Sequence, residues 1–158
     1  MSGPRDILVA DDDENDRRLT LAALDELGAE LEVRTVRDGA ELLDYLRREG
    51  DFKDRSPGNP ALLLLDLNMP RVDGWEVLRT IKSDPALKAI PVVVFTSSSR
   101  DRDVERCYQL GANAYVVKPI DFGEFTVTVR NIRVFWTAHN HTPQPAFSPA
   151  AMRGPGQS

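Results

Sequence analysis

The chain has a single cysteine, Cys107, so no internal disulfide can form and the fold must hold without covalent cross-links. That fits a reducing cytosol. There is no apolar run near the roughly 18 residues a membrane span requires. The opening segment, Met1-Ser2-Gly3-Pro4-Arg5-Asp6, lacks the apolar core of a secretion signal. No basic cluster is present either. With a net charge of -5, the chain is a poor partner for nucleic acid or an anionic membrane. The expectation is a cytoplasmic protein that binds neither. Internal repeats are lacking, which excludes solenoid architectures.

What the chain does have is enough for one domain with a core. It has 158 residues, and at 41% hydrophobic it can bury one. Strand-like and helix-like stretches alternate. Ile7-Leu-Val-Ala10 reads as a short buried strand. Residues 16–28 read as a helix, with Leu19, Ala23, Leu24 and Leu27 at helical spacing and Gly28 as its stop. Leu31, Val33 and Thr35 alternate with polar residues, as in a half-exposed strand. A second helix carries Leu42, Leu43 and Leu46, followed by an unusually long polar connection over 49–60. A third strand spans 61–67. The third helix opens on the capping pair Asp73 and Glu76 and buries Gly74, Val77, Leu78 and Ile81. Residues 91–96 form a fourth strand, and a fourth helix runs from about Arg100 to Leu110. A fifth strand covers Ala114–Val117. The fifth helix opens at Asp121 and runs to about Trp136. Beyond it the chain turns proline-rich, so 1–137 reads as one domain and 138–158 as a flexible tail.

Five strands alternating with five helices predict a doubly wound α/β fold: a parallel five-stranded sheet covered on both faces, of flavodoxin-like (βα)5 type. In the order 2-1-3-4-5, ligands bind beyond the carboxyl ends of strands one and three. The chemistry-bearing residues all follow strands. Asp11 and Asp12 follow the first, Asp66 the third, Thr96 ends the fourth, and Lys118 follows the fifth. One topology therefore brings them to one rim.

Four consecutive leucines, Leu62–Leu65, deliver Asp66 to that rim, where burial of a charge is costly unless a cation meets it. Several carboxylates at one place repel. A hard, oxygen-seeking cation such as Mg2+ relieves this. Asp12 and Asp66 read as direct ligands, the Asn68 backbone carbonyl as a third, and Asp11 as acting through water. Lys118 adds a compact positive charge and Thr96 a hydroxyl. A carboxylate, a metal, a lysine and a hydroxyl are what phosphoryl transfer to a protein acid needs, with Asp66 as nucleophile. The run Asp11–Asp16 fails as a calcium-binding EF-hand loop, because its sixth position is Asp16 rather than glycine and its twelfth is Ala22 rather than glutamate.

The set Asp11-Asp12, Asp66, Thr96 and Lys118-Pro119 resembles the receiver domain of two-component response regulators, over roughly residues 5–136. The resemblance implies a phosphoacceptor signalling protein rather than an enzyme, phosphorylated on Asp66 by a sensor histidine kinase with Mg2+. It implies a cis Lys118–Pro119 bond and a switch in which Thr96 moves toward the phosphoryl group and Tyr115 turns inward. It implies that Asn68 and Ser98 tune phosphoryl lifetime. The long loop before strand three, the Leu-Leu-Asp-Leu-Asn-Met-Pro segment and the ending Ile132-Arg-Val-Phe-Trp136 are similar, more narrowly, to small regulators that partner phytochrome-type light-sensing kinases.

On the fifth helix, Phe122, Phe125, Val129, Ile132 and Trp136 make one docking stripe. Val127, Val134 and Phe135 fall off it and, with Trp136, predict a homodimer face formed by helix four, strand five and helix five. The roughly twenty residues after that helix are too few for an effector module, so output is expected through protein contact. Two other readings compete. In a degenerate receiver serving as a scaffold, the acidic set would have no purpose. A haloacid-dehalogenase-type phosphatase would place a second Asp where this chain has Asn68.

Overall fold

The computed structural model describes residues 6–25 and 32–141. Five strands form one parallel sheet: β1 (Ile7–Ala10), β2 (Val33–Val36), β3 (Leu62–Leu65), β4 (Val92–Thr96) and β5 (Ala114–Val117). Their order is β2-β1-β3-β4-β5, as expected. Helices α1 (Glu14–Asp25), α2 (Gly39–Arg47), α3 (Gly74–Ser83), α4 (Asp101–Gln109) and α5 (Phe122–Arg133) follow the strands in turn. Helix α1 begins two residues before the expected start, and its expected end, Leu27-Gly28, lies outside the described residues.

Successive side chains of a strand point to opposite faces, so the sheet divides the core in two. On one side Leu8, Ala10, Leu63, Leu65, Val92 and Val94 pack under α2, α3 and α4. On the other, Ile7, Val9, Leu62, Leu64, Val93 and Phe95 pack under α1 and α5. Every residue of β1, β3 and β4 is buried. At about 1.5–3 kcal/mol for each fully buried leucine or valine, this block is what holds the strand ends rigid.

The caps expected at Asp73 and Asp121 form, and Asp38 supplies one that was not expected. Asp38, Asp73 and Asp121 each accept a hydrogen bond from the backbone N–H three residues on, at Glu41, Glu76 and Glu124. The long 49–60 connection is organised by Arg55. Its guanidinium donates to the carbonyls of Tyr45 and Leu46 at the open end of α2, and lies 4.3 Å from the Tyr45 ring centroid. The last carbonyls of a helix lack the usual partner four residues on; the Tyr45 carbonyl also accepts from the Arg48 N–H at 3.3 Å.

The fifth helix departs from expectation. It is α-helical only to Arg133, then widens into a π-helical turn over Val134–His139. Phe122, expected in the docking stripe, is the first residue of the helix and is 65% exposed. Phe125, Val129 and Ile132 do dock. Trp136, expected both in the docking stripe and on a dimer face, is partly buried against the same cluster as the stripe implies, with the Phe135 ring edge-on to it at 5.0 Å.

The loop after β3 lies directly on the first turn of α2. A Cβ added at Gly39 would sit 2.0 Å from the Val72 carbonyl oxygen, so only glycine fits without moving backbone. Gly39→Ala is expected to lower stability by about 1–3 kcal/mol, the usual cost of overpacking. Urea unfolding checks this: the midpoint should fall with little change in slope.

Candidate functional site

The register sets the site. Ala10 pairs with Leu65 across β1 and β3, so the next residues, Asp11 and Asp66, emerge side by side. The Asp66 N–H donates to the Ala10 carbonyl at 2.9 Å. Thr96 pairs with Val117 across β4 and β5, so Lys118 follows at the same rim, its N–H donating to the Thr96 carbonyl at 2.7 Å. Gly74, at the start of α3, lets that helix approach the acceptor. A Cβ there would stand 2.4 Å from the Asp66 carbonyl oxygen.

Asp66 is buried and held at both carboxylate oxygens. The Thr96 hydroxyl, itself fully buried, donates to Oδ1 at 3.0 Å. The Lys118 ammonium lies 3.2 Å from Oδ2. The same ammonium donates to Asp11 Oδ2 at 2.7 Å and Asp16 Oδ2 at 2.8 Å. Asp11 Oδ1 accepts from the Asp13 N–H at 3.0 Å, and the Asp11 carbonyl accepts from Arg17 at 2.8 Å. Asp12 is exposed but contributes an oxygen to a tight group. Carboxylate oxygens of Asp11, Asp12 and Asp66 all lie within 4.8 Å of one another.

The electrostatics follow from three carboxylates on one ammonium, with Asp12 beside them. Burial pushes Asp11 up to about 6, more than its hydrogen bond and attraction to Lys118 pull it down, and Asp66 raises it further. Burial works against the Lys118 ammonium as well. There the hydrogen bonds to Asp11 and Asp16 and the charges of Asp11 and Asp66 together win, and its pKa rises. Lys118 is therefore charged at all relevant pH, and the cluster still carries excess negative charge. Hard oxygen donors in a tight group with uncompensated charge fit a divalent cation.

The residues expected to form a switch lie close to the pocket. Two residues past Thr96, the Ser98 carbonyl accepts from the Tyr115 hydroxyl at 2.8 Å, and the Ser98 hydroxyl donates to Asp103 in α4 at 2.6 Å. Asn68 is exposed beside Asp66, its N–H 3.5 Å from Asp66 Oδ1. One expectation fails. Every peptide bond among the described residues is trans, Lys118–Pro119 included. An X–Pro bond prefers trans by about 0.5–1 kcal/mol, and the lysine already reaches three carboxylates in that form. Sequence reasoning also missed Asp16, weighing it only within a rejected calcium loop. The sequence offers only a partial signal, an acid in the first turn of α1 five residues past Asp11; that it reaches Lys118 depends on the direction the helix takes.

The sequence matches the response regulator receiver domain family over residues 7–130. The chain is a response-regulator receiver. Among its relatives is a protein of Methanothrix harundinacea described as the probable methanogenesis regulatory protein FilR2. It is 40% identical over 141 residues, 89% of this chain and 88% of that protein. Response regulator Rcp1 of Synechocystis sp. is 39% identical over 133 residues, 84% of this chain and 89% of that protein. Of solved structures, the phosphorylated cyanobacterial phytochrome response regulator RcpA superposes with TM-score 0.84 at 41% identity, over 90% of this receiver and all of that chain. The Mn2+-bound form of Rcp1 gives TM-score 0.82 at 38% identity, over 89% and 99%. Receivers of this family are signalling proteins rather than classical enzymes, and carboxylate oxygens of Asp11, Asp12 and Asp66 lie close enough together to hold a metal ion. Among the described residues no helix is long and apolar enough to cross a membrane.

Proposed function

We propose that this receiver accepts a phosphoryl group on Asp66 from a sensor histidine kinase and signals through a changed protein surface. The observation that carries the proposal is the convergence on Asp66: a buried hydroxyl at one carboxylate oxygen, an ammonium at the other, and two further acids within 4.8 Å. One Asp66 oxygen attacks the donor phosphorus, an O–P bond forms, and the donor's P–O or P–N bond breaks with its electron pair leaving on the donor. Lys118 and the Thr96 hydroxyl stand where charge gathers on the phosphoryl oxygens. Asp12, Asp66 and the Asn68 carbonyl would hold Mg2+, with Asp11 through water. Bound there, the ion supplies further neutralisation of those oxygens. Thr96 and Tyr115 form the switch, linked by the short path through the Ser98 carbonyl. Asn68 and Ser98, two residues past Asp66 and Thr96, tune how fast the phosphoryl group is lost.

Incubation with acetyl phosphate and Mg2+ tests this reading. One acid-stable, base-labile phosphoryl group per chain is expected, and no uptake without the metal. Turnover of the donor without a labelled protein would instead indicate a phosphatase, and neither result would indicate a scaffold. The kinase partner is read as phytochrome-type, supported by the likeness to RcpA. Phosphotransfer from a chromophore-bearing histidine kinase checks it.

The output surface is read as α4, β5 and α5, closing as a homodimer. Val127, Val134 and Phe135 are exposed there, Phe135 at 52%. Exposed large apolar groups on adjoining elements suit a second copy. Equilibrium sedimentation of the full chain and of a chain ending at Thr137 is expected to give dimers. A monomer in both at tens of micromolar would defeat the dimer.

A further inference from the structure

The three N–H directions of Lys118 end on three carboxylates: Asp11, Asp16 and Asp66. The group tight enough to surround a cation is a different three: Asp11, Asp12 and Asp66. Two members are shared, so the two positive charges of a working site draw on the same oxygens. Asp12 belongs to the metal's set alone. Asp16 belongs to the lysine's set alone.

Asp16 is placed for this by its helix. It lies in the first turn of α1, with its own N–H donating to Asp13 Oδ1 at 3.0 Å, and its neighbour Arg17 donates to the Asp11 carbonyl at 2.8 Å. The helix start is thus tied to the rim on both sides of Asp16. The Lys118 side chain is 8% exposed, so its charge is held in a dry place where one hydrogen bond weighs heavily.

We propose that Asp16 is a positioning residue, the private counter-ion of Lys118, which keeps the ammonium beside Asp66 while a divalent cation draws on Asp11 and Asp66. The proposal rests on the phosphoacceptor reading above. Without the Asp16 carboxylate, the ammonium leans wholly on Asp11 and Asp66 and opposes any cation that needs them. An asparagine at 16 keeps size and a hydrogen-bond acceptor but not the charge.

The test is Mn2+ binding by calorimetry, with no phosphodonor present, for the unaltered chain, Asp16→Asn, Lys118→Met and the double variant. Thermal unfolding establishes that each is folded. Asp16→Asn should weaken Mn2+ binding by about tenfold, as loss of an outer partner at a metal site commonly does. In the Lys118→Met background the same substitution should have little effect, because its route is gone. Binding by Asp16→Asn equal to the unaltered chain would overturn the proposal. So would an equal loss in both backgrounds, which would mean charge alone is acting. Unchanged Mn2+ binding in Asp16→Asn overturns the proposal even if Lys118→Met does not fold. A parallel acetyl phosphate incubation separates the two readings. No uptake by the unaltered chain sinks the phosphoacceptor, whereas uptake with unchanged Mn2+ binding in Asp16→Asn sinks only the role of Asp16.

Discussion

Asp66→Asn should take up no phosphoryl group from acetyl phosphate or a histidine kinase, at any Mg2+ concentration. The substitution removes the nucleophile and little else. The amide oxygen of an asparagine can still accept from the Thr96 hydroxyl, which now meets Asp66 Oδ1 at 3.0 Å. The leucines of β3 and their burial are untouched. An amide is far too weak a nucleophile to replace the carboxylate, so the effect is all-or-none rather than a graded loss. Stability should move the other way. With one fewer negative charge around Lys118, the variant's thermal midpoint in metal-free buffer should be no lower than that of the unaltered chain. Residual label together with a raised midpoint would mean that another residue is the acceptor.

Lys118→Met should be the most destabilising single change at the rim. It leaves Asp11, Asp16 and Asp66 buried or half-buried with no cation among them. Removing one partner of a buried ion group costs about 3–5 kcal/mol. The loss should depend on pH in a direction opposite to ordinary acid unfolding. Asp11 in the folded chain is raised to about 6 from an ordinary 3.8. Between those values the folded state holds a proton that the unfolded state has released. Stability is therefore fully present below the unfolded value and declines as pH rises through about 6. The slope from this one proton is at most about 1.4 kcal/mol per pH unit. Without the ammonium, Asp11 rises further and the decline extends to higher pH. Denaturant titrations from pH 5 to 8 without metal should show both: a shallow fall for the unaltered chain and a longer one for Lys118→Met. Added Mg2+ should restore part of the loss. A variant as stable as the unaltered chain at pH 8 would mean that the ammonium does not hold the cluster together.

The fold and the acceptor pocket were legible because periodicity and register are local signals with a long reach. Leu62–Leu65 reads as a buried strand, and once β1 and β3 are neighbours the register leaves Asp11 beside Asp66 without further information. The capping aspartates at 73 and 121 read just as directly. Other features needed coordinates. Asp16 joins the site through the direction α1 takes on leaving the rim, which no spacing rule states. Arg55 closes the end of α2 from across an irregular loop, a contact between segments with no periodic relation. Of the docking stripe, Phe122 at the open first turn of α5 stays exposed, whereas Trp136 packs on the core as the stripe implies, even though the chain widens after Arg133. The Lys118–Pro119 geometry was inferred from family likeness rather than from these residues, and the chain is trans there.

Mapping the phosphorylated residue tests the central claim most directly. After incubation with acetyl phosphate and Mg2+, reduction with borohydride turns an aspartyl phosphate into homoserine, and peptide sequencing by mass reads its position. The pocket described here predicts homoserine at position 66 alone. Homoserine at 11, 12 or elsewhere, or a phosphate that survives reduction on a histidine, serine or threonine, would contradict it.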